Sequence, residues 1–475
     1  MNNQRMNAYD AIVVGSGPNG LAAAITLARE GLSVLVLEAN DTPGGGARTE
    51  ALTLPGFLHD TCSSIFPMAV ASPFFRSLNL DVDWIQPEIA VAHPLEKDRA
   101  AWLTRSLDSS PEPAYRRLME PLVANWEPLT AEILQPMLHF PKHPIMLSQL
   151  GLPALRSAES LARSVFKSEE TQALFAGLAA HSFLRLDETA SAAIGLVLAM
   201  TVHAVGWPMP RGGAGQITNA LVSTLEKLGG KIETGRRVHN LDELPPTRAI
   251  LCDVSPRQLL ALAGNRLPDR YAAVLTRFHP GPGVFKIDYA LNAPIPWSAP
   301  ACRKAGTVHV GGSFDEIHLS EAEVAAGKTP EHPFVLVAQH SSFDNTRASA
   351  GKHTAWAYCH VPNGSDADMT THIEAQIERF APGFRDCILA RTAQNCRALE
   401  QKNANLIGGD ISGGLNNLWQ MIARPILSPH SYRTPVKGLY LCSASTPPGG
   451  GVHGMCGFNA AKDALREVFR KKAAF

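Results

Sequence analysis

Apolar residues fall into distinct textures along this chain. Ala11–Val14, Ser33–Leu37, Ala249–Asp253 and Gly438–Cys442 are short apolar runs bounded by turn formers, the pattern of parallel strands covered on both faces. Ala114–Leu134 places Leu118, Leu122, Trp126, Leu129 and Ile133 three and four apart, which predicts a helix, as do Gln216–Leu228 and Ile373–Phe380. Val284–Leu291 alternates as an antiparallel strand does. Val91–Leu95, Lys231–Thr234, Val238–Leu241, Val308–Val310, Phe334–Gln339 and Thr354–His360 add further strands, several of them forming a mixed sheet that backs a cavity. Two stretches are apolar without clear period. Ala190–Gly206 is uncharged but short for a span and contains Ser191, Thr201 and His203, so it predicts a buried helix. Gln135–Leu155 is rich in Pro, Leu and Met with Lys142 as its one charge. It reads either as a proline-broken pair of core helices or as an apolar lip that admits a greasy substrate from a membrane surface.

The interruptions carry the chemistry. Between the first strand and a helix over Leu21–Glu30 lies Gly15-Ser16-Gly17-Pro18-Asn19-Gly20. In such a turn Gly15 permits the reversal, Gly17 lets a pyrophosphate approach the backbone, and Gly20 lets the helix lie against the strand. Glu38, followed by Ala39, ends the second strand, where a dinucleotide-binding βαβ unit keeps its ribose 2′-OH acceptor. A second glycine run, Gly44-Gly45-Gly46, with Arg48 just beyond, is something a nicotinamide domain does not need. A third follows the strand Gly438–Cys442: Ser443, then Gly449-Gly450-Gly451 and Val452, opening a helix toward Phe469. A glycine-rich strand-to-helix turn offers unpaired N–H groups and a positive dipole end to a ligand.

Composition narrows the class. Lys plus Arg balances Asp plus Glu at 43 each, which argues against a nucleic-acid partner. The 8 cysteines form no C-x-x-C pair, so they read as reduced, mostly buried thiols of a cytoplasmic protein and not as a redox disulfide. Met1–Tyr9 is polar and leaves no room for a signal peptide. No His, Cys or Asp cluster has metal spacing, and no nucleophile elbow is present. Lys286, inside the alternating strand, is a catalytic candidate whose bland alternative is a side chain snorkelling to water. His453 is a second candidate, facing the ligand or capping the helix behind it. His181 and His203 lie on apolar helical stretches and read as core histidines, and Cys442 and Cys456 as buried thiols. Asp410 and Arg424 are a polar pair without an assigned role.

Gly15–Gly20 with Glu38, Gly44–Arg48, Gly206–Gly215, Gly281–Lys286, Asn405–Asp410 and Tyr440–Ala461 together resemble the phytoene desaturase-like branch of FAD-dependent oxidoreductases, within the amine oxidase and carotenoid desaturase superfamily. Within that branch the likeness is greatest to the group called pyridine nucleotide-disulfide oxidoreductase domain-containing protein 2. The resemblance implies FAD as cofactor, with Gly45, Gly46 and Arg48 at the diphosphate and Val238 beside the adenine. It implies Gly450, Gly451 and Val452 at the flavin's N1–C2=O edge and Lys286 reaching N5 through a water. The expected fold is α/β: a Rossmann-like FAD-binding domain (1–72, 207–280 and 431–475) interleaved with a mixed-sheet and helical substrate domain (73–206 and 281–430). The expected activity is dehydrogenation or desaturation of a small, mainly apolar organic substrate, with peripheral membrane contact. An amine or amino-acid oxidase, a redox-neutral isomerase acting at reduced flavin and a flavin protein without turnover are the alternatives.

Overall fold

The computed structural model describes residues 9–109 and 112–471. The polar lead Met1–Ala8, and with it the reading that no signal peptide fits, lies outside the described residues, as does the tail 472–475. Two sheets organise the chain. The first is five-stranded and parallel throughout, in the order Leu439–Leu441, Ala249–Cys252, Ala11–Val14, Val34–Leu37 and Lys231–Glu233. Ala11–Val14 and Val34–Leu37 are buried at every position, as strands covered on both faces must be.

One covering element is the helix Pro18–Arg29, which carries Pro at its first position, where a missing N–H costs nothing. Asn19 to Ala28 are all buried in it, so small Ala and Gly side chains are required on nearly every side. Against it packs the helix Met455–Ala464, and a Cβ on Gly457 would stand 1.8 Å from the Asn19 carbonyl oxygen. The chain's first and last helices are thereby locked together. Residues 465–469 continue the last helix as a π-helical turn.

The second sheet has seven strands, in the order Ile388–Gln394, Gly283–Leu291, His353–Val361, Val335–Ala338, Ala305–Val310, Ile89–Pro94 and Ala100–Leu103. All neighbours are antiparallel except Ala305–Val310 with Ile89–Pro94. Gly283–Leu291 alternates, but not between core and water: every residue is buried. Phe285, Ile287, Tyr289 and Leu291 enter the core behind the sheet, and Lys286 and Asp288 point to the other, covered face. Lys286 therefore does not snorkel to solvent.

Three expectations change. The helix foreseen over Ala114–Leu134 is two, Pro113–Ala124 and Trp126–Ile133, broken at Asn125, because Pro128 has no N–H to give the Ala124 carbonyl. Val238–Leu241 forms no strand; the chain runs there as a loop into a short 3-10 turn, Leu241–Glu243. Gln135–Leu155 is not a pair of core helices. It holds one helix, Pro144–Ala154, in which Leu150 is the buried residue. Phe140 is 99% exposed, Ile145 76% and Leu152 70%. The preceding loop is pinned from inside by Glu132, whose carboxylate accepts from His139 Nε2 at 2.6 Å and from the backbone N–H groups of Lys142 and His143. The uncharged stretch after residue 190 is the buried helix Ala192–Val205. No helix among the described residues is long and apolar enough to cross a membrane.

Candidate cofactor and substrate cavity

A cavity of about 580 Å³ runs from the glycine turn of the parallel sheet to the face of the seven-stranded sheet. At the first end Gly15, Gly17, Pro18 and Asn19 line it, with Glu38, Ala39, Gly45, Gly46 and Val238. Gly15 has φ +99°, and a Cβ there would sit 2.9 Å from the Asp253 carbonyl oxygen. A Cβ on Gly17 would lie 2.7 Å from Asp253 Oδ2, so only glycine fits against that carboxyl. Gly20 is not in the lining. Its role is closeness: a Cβ there would stand 2.1 Å from the Gly15 oxygen. At the start of the helix Pro18–Arg29, Pro18 has no N–H and Gly20 N–H is taken by Asp253 Oδ2, which leaves the Asn19 N–H available to an anion.

Glu38 Oε2 accepts from Ser16 N–H (2.9 Å) and Ser16 Oγ (2.6 Å), and Oε1 from Asn40 N–H and Nδ2. The same acid thus shapes the glycine turn and lines the cavity. Asp253, at the end of its strand, accepts from Gly20 N–H at 2.9 Å. Burial, reinforced by Glu38, pushes its carboxyl up to about 7. The sequence shows Asp253 only as an acid ending a strand; its partnership with the glycine turn is made by strand pairing across more than two hundred residues.

Arg48 stands outside the main lining. It borders a small recess with Cys62, Leu399 and Lys402, and its Nε lies 3.6 Å from Glu50 Oε1. From the C-terminal segment Ser443, Gly451 and Val452 reach the cavity and Gly450 does not; a Cβ on Gly450 would meet the Ser412 oxygen at 2.6 Å. The last helix begins at Met455, later than the glycine run. Its first N–H donates to His453 Nδ1 at 3.0 Å. His453 is therefore a buried helix cap beside the cavity wall and not part of the lining. Cys442 and Cys456 are buried and also off the lining. Asp410 and Arg424 brace this region separately. Arg424 donates to the Ala444 and Ser412 carbonyls, and Asp410 accepts from Gly281 and Ser412 N–H.

The other end of the cavity is a floor made by register. Lys286 faces Tyr358, Tyr358 faces Leu336, and Leu336 faces His309, so one row crosses four strands. Lys286, Tyr358 and Leu336 line the cavity with Trp207, Trp356 and Thr307. The indole N–H groups are spent elsewhere, Trp356 on Ser64 Oγ and Trp207 on Thr307 Oγ1, which leaves apolar ring surface toward the space. Lys286 Nζ donates to both Asp288 oxygens (2.5 and 2.6 Å) and to the Asp60 carbonyl (3.1 Å). Burial raises the Asp288 carboxyl while Lys286 pulls it back. Arg347 pairs with Asp60 at 2.9 Å, both buried. Burial opposes ionisation of Asp60, yet Arg347 and His340 hold its carboxyl down to about 2. His59, 3.8 Å from Asp288, is kept neutral by burial and by Lys286 and Arg347, its pKa falling to about 3.

The two helical histidines part company. His203 is a core residue bonded to Tyr115 OH at 2.9 Å, whereas His181 lines the cavity. Among the described residues no group of three or more His, Cys, Asp or Glu is placed to hold a metal ion.

Residues 13–78 match the family described as NAD(P)-binding Rossmann-like domain. Over 97% of this chain and 94% of its own length, the mouse (Mus musculus) pyridine nucleotide-disulfide oxidoreductase domain-containing protein 2 is 27% identical. A lycopene-forming phytoene desaturase of Pseudescherichia vulneris is 22% identical over 94% of this chain and 96% of its own. Among solved structures, an oxidoreductase from Methanosarcina mazei superposes with a TM-score of 0.65 at 17% identity, over 96% of this chain and 99% of that one. A putrescine oxidase bound to putrescine does so at 0.62 and 16%, over 98% and 99%. Residues 13–78 are thus similar to a dinucleotide-binding Rossmann-like domain, the chain is similar along its length to an oxidoreductase domain-containing protein, and its fold is that of the amine oxidase-type flavoenzymes.

Proposed function

We propose that this protein is an FAD-dependent oxidoreductase that dehydrogenates or desaturates a mainly apolar organic molecule. The observation that carries the reading is the continuity of one cavity from the glycine turn to the Trp207, Leu336, Trp356 and Tyr358 floor, with the floor's cations already matched. Lys286 is held by Asp288, Arg347 by Asp60, and Lys402 by Glu50 at 2.7 Å. A charged substrate group finds no unpaired partner among them, and apolar ring surface is what the floor offers.

The residues fit a flavin dinucleotide. Gly15 and Gly17 bring bare backbone to the cavity, the Asn19 N–H at the start of the first helix stays available beside them, and about 580 Å³ lies between that turn and the floor. The resident two-electron chemistry is supplied by the flavin when bound. The chain's own contributions follow from position. Glu38 fixes Ser16 and the turn beneath the ribose end. Asp253, largely neutral below pH 7, does not repel an anion across Gly17. Lys286, buried and paired with Asp288, stands on the floor, where the reacting edge of the cofactor would lie. Trp207, Trp356 and Phe66 keep water out. The exposed apolar segment 137–155 completes the reading as a contact with a bilayer surface that delivers an apolar substrate: its helix Pro144–Ala154 has no charged side chain and packs on the helix Ala192–Val205, whose Leu198 lines the cavity.

The test is spectral. The purified protein is expected to be yellow and to release FAD on denaturation, and its oxidised band to bleach anaerobically with members of a polyene or steroid panel. Bleaching by amines alone moves the protein to the amine oxidases, and product change without bleaching moves it to the isomerases. A protein that never retains flavin ends the proposal.

A further inference from the structure

At the end of the floor away from Lys286 stands a pair of imidazoles. His309 is the last member of the row Lys286–Tyr358–Leu336–His309 and is fully buried. His181, at the C-cap of the helix Glu169–Ala180, reaches it with Nε2 3.1 Å from His309 Nε2. The approach is built in: one turn earlier on the same helix is Gly177, where a Cβ would lie 2.7 Å from His309 Nδ1. We propose that His181, oriented by His309, is the hydrogen-bond donor to a single uncharged oxygen, a ketone or an alcohol, on the substrate. The substrate class then narrows from an apolar molecule to an oxygenated hydrocarbon, an inference that rests on the apolar-substrate reading above.

Two facing imidazoles share one hydrogen, so one ring donates and the other accepts. His309 Nδ1 is buried without a partner. Packed against Gly177, it suits a bare lone pair better than an N–H group, which puts the shared hydrogen on His309 Nε2. His181 then accepts at Nε2 and carries its own hydrogen on Nδ1, for which the described residues supply no acceptor. That donor belongs to a residue of the cavity wall. An oxygen acceptor completes the pairing, and a polar group without one is costly in a dry site. Charge selects further. Burial holds both imidazoles neutral, His181 down to about 3 and His309 well below its ordinary value. A neutral donor, with the floor's cations already paired, favours a ketone or alcohol over a carboxylate.

The test uses a matched set of small probes on the purified protein: ethylbenzene, acetophenone, 1-phenylethanol, 1-phenylethylamine and benzoate, titrated by calorimetry and by ligand-observed NMR. Acetophenone and 1-phenylethanol are expected to bind the wild type about three- to tenfold more tightly than they bind His181→Leu. Ethylbenzene should change less than twofold. His181→Gln, which keeps a side-chain N–H, should recover part of the loss and guards against a folding defect in the leucine variant. If ethylbenzene binds but acetophenone loses no more than ethylbenzene in His181→Leu, the donor assignment is wrong while the apolar cavity stands. Preference for the amine or for benzoate overturns the assignment as well. Failure of every probe to bind the wild type overturns both readings.

Discussion

The two sheets meet the cavity in opposite ways. At the parallel sheet the protein presents backbone. Gly15, Gly17 and Gly45 remove side chains, the first helix offers the Asn19 N–H, and the side chains that matter, Glu38 and Asp253, brace the turn. At the seven-stranded sheet it presents side chains, and the row Lys286–Tyr358–Leu336–His309 exists because four strands are held in register. A backbone site demands shape and tolerates no added atoms. A side-chain site demands pairing and fails when one partner is removed. Each half therefore has its own characteristic breaking mutation.

The largest effect is expected on the floor. Lys286→Met leaves Asp288 buried without its cation, and removing one partner of such a pair costs about 3–5 kcal/mol. Urea unfolding should show that loss, with most of it restored in Lys286→Met combined with Asp288→Asn. In the flavin-loaded protein, stopped-flow reduction or reoxidation should slow at least about tenfold, near 1.4 kcal/mol of barrier. Stability unchanged in the single variant would mean that the pair is not the floor's organising contact. Next is the backbone half. Gly457→Ala places a methyl group 1.8 Å from the Asn19 oxygen in the static geometry, so the two helices must part. About 3 kcal/mol of stability should go with it, and flavin should be lost first, because Asn19 belongs to the turn. A variant that melts like the wild type and keeps its cofactor would show that the turn is softer than its packing implies.

The same contrast explains what the sequence discloses. The glycine turn, the strands Ala11–Val14 and Val34–Leu37 and Glu38 lie within thirty residues of one another, and their chemistry is local, so reading along the chain finds them. Lys286 stands out as a charge in an apolar strand, but its partner Asp288 reads as ordinary alternation. Nothing in the local pattern says that both faces of that strand are covered. His181 reads as a core histidine like His203, because apolar spacing on a helix looks the same beside a cavity as beside a core. What separates them is His309, over a hundred residues later, together with Gly177. His453 is the opposite case: adjacency to a glycine run reads equally as a ligand contact or a cap, and the structure shows the late-starting helix donating its first N–H to His453 Nδ1.

Asp253 sharpens the backbone half through pH. Its folded pKa, about 7, is raised above the unfolded value near 3.8. Between those values the folded protein holds a proton that the unfolded chain has released. Stability from this group is therefore fullest below about pH 4 and declines by up to about 1.4 kcal/mol per pH unit until pH 7, above which it is flat. Asp253→Asn should remove this part of the decline in thermal or urea unfolding of the flavin-free protein. Flavin affinity should also fall in the wild type between pH 6 and pH 8, as a carboxylate appears beside Gly17, and fall less in the variant. Identical pH profiles for the two proteins would assign the carboxyl an ordinary pKa.

The smallest effect on the fold is expected outside the cavity, on the apolar face of the floor half. Phe140, Ile145 and Leu152 contact water over most of their surface, so changing them removes little packing. Phe140→Ser combined with Leu152→Ser should shift unfolding by no more than about 0.5 kcal/mol. Membrane contact would respond quite differently. Burying one such side chain in a bilayer interface gains about 2 kcal/mol, so each loss should weaken vesicle binding by about thirtyfold. Wild type is expected to sediment partly with neutral phosphatidylcholine vesicles at low and at high salt alike. The helix Pro144–Ala154 offers no charge for screening to act on. The double variant should remain in the supernatant while melting normally. If the wild type also stays in the supernatant, the exposed face is not a membrane contact, and the route of an apolar substrate to the Trp207–Trp356 floor must lie elsewhere on the surface.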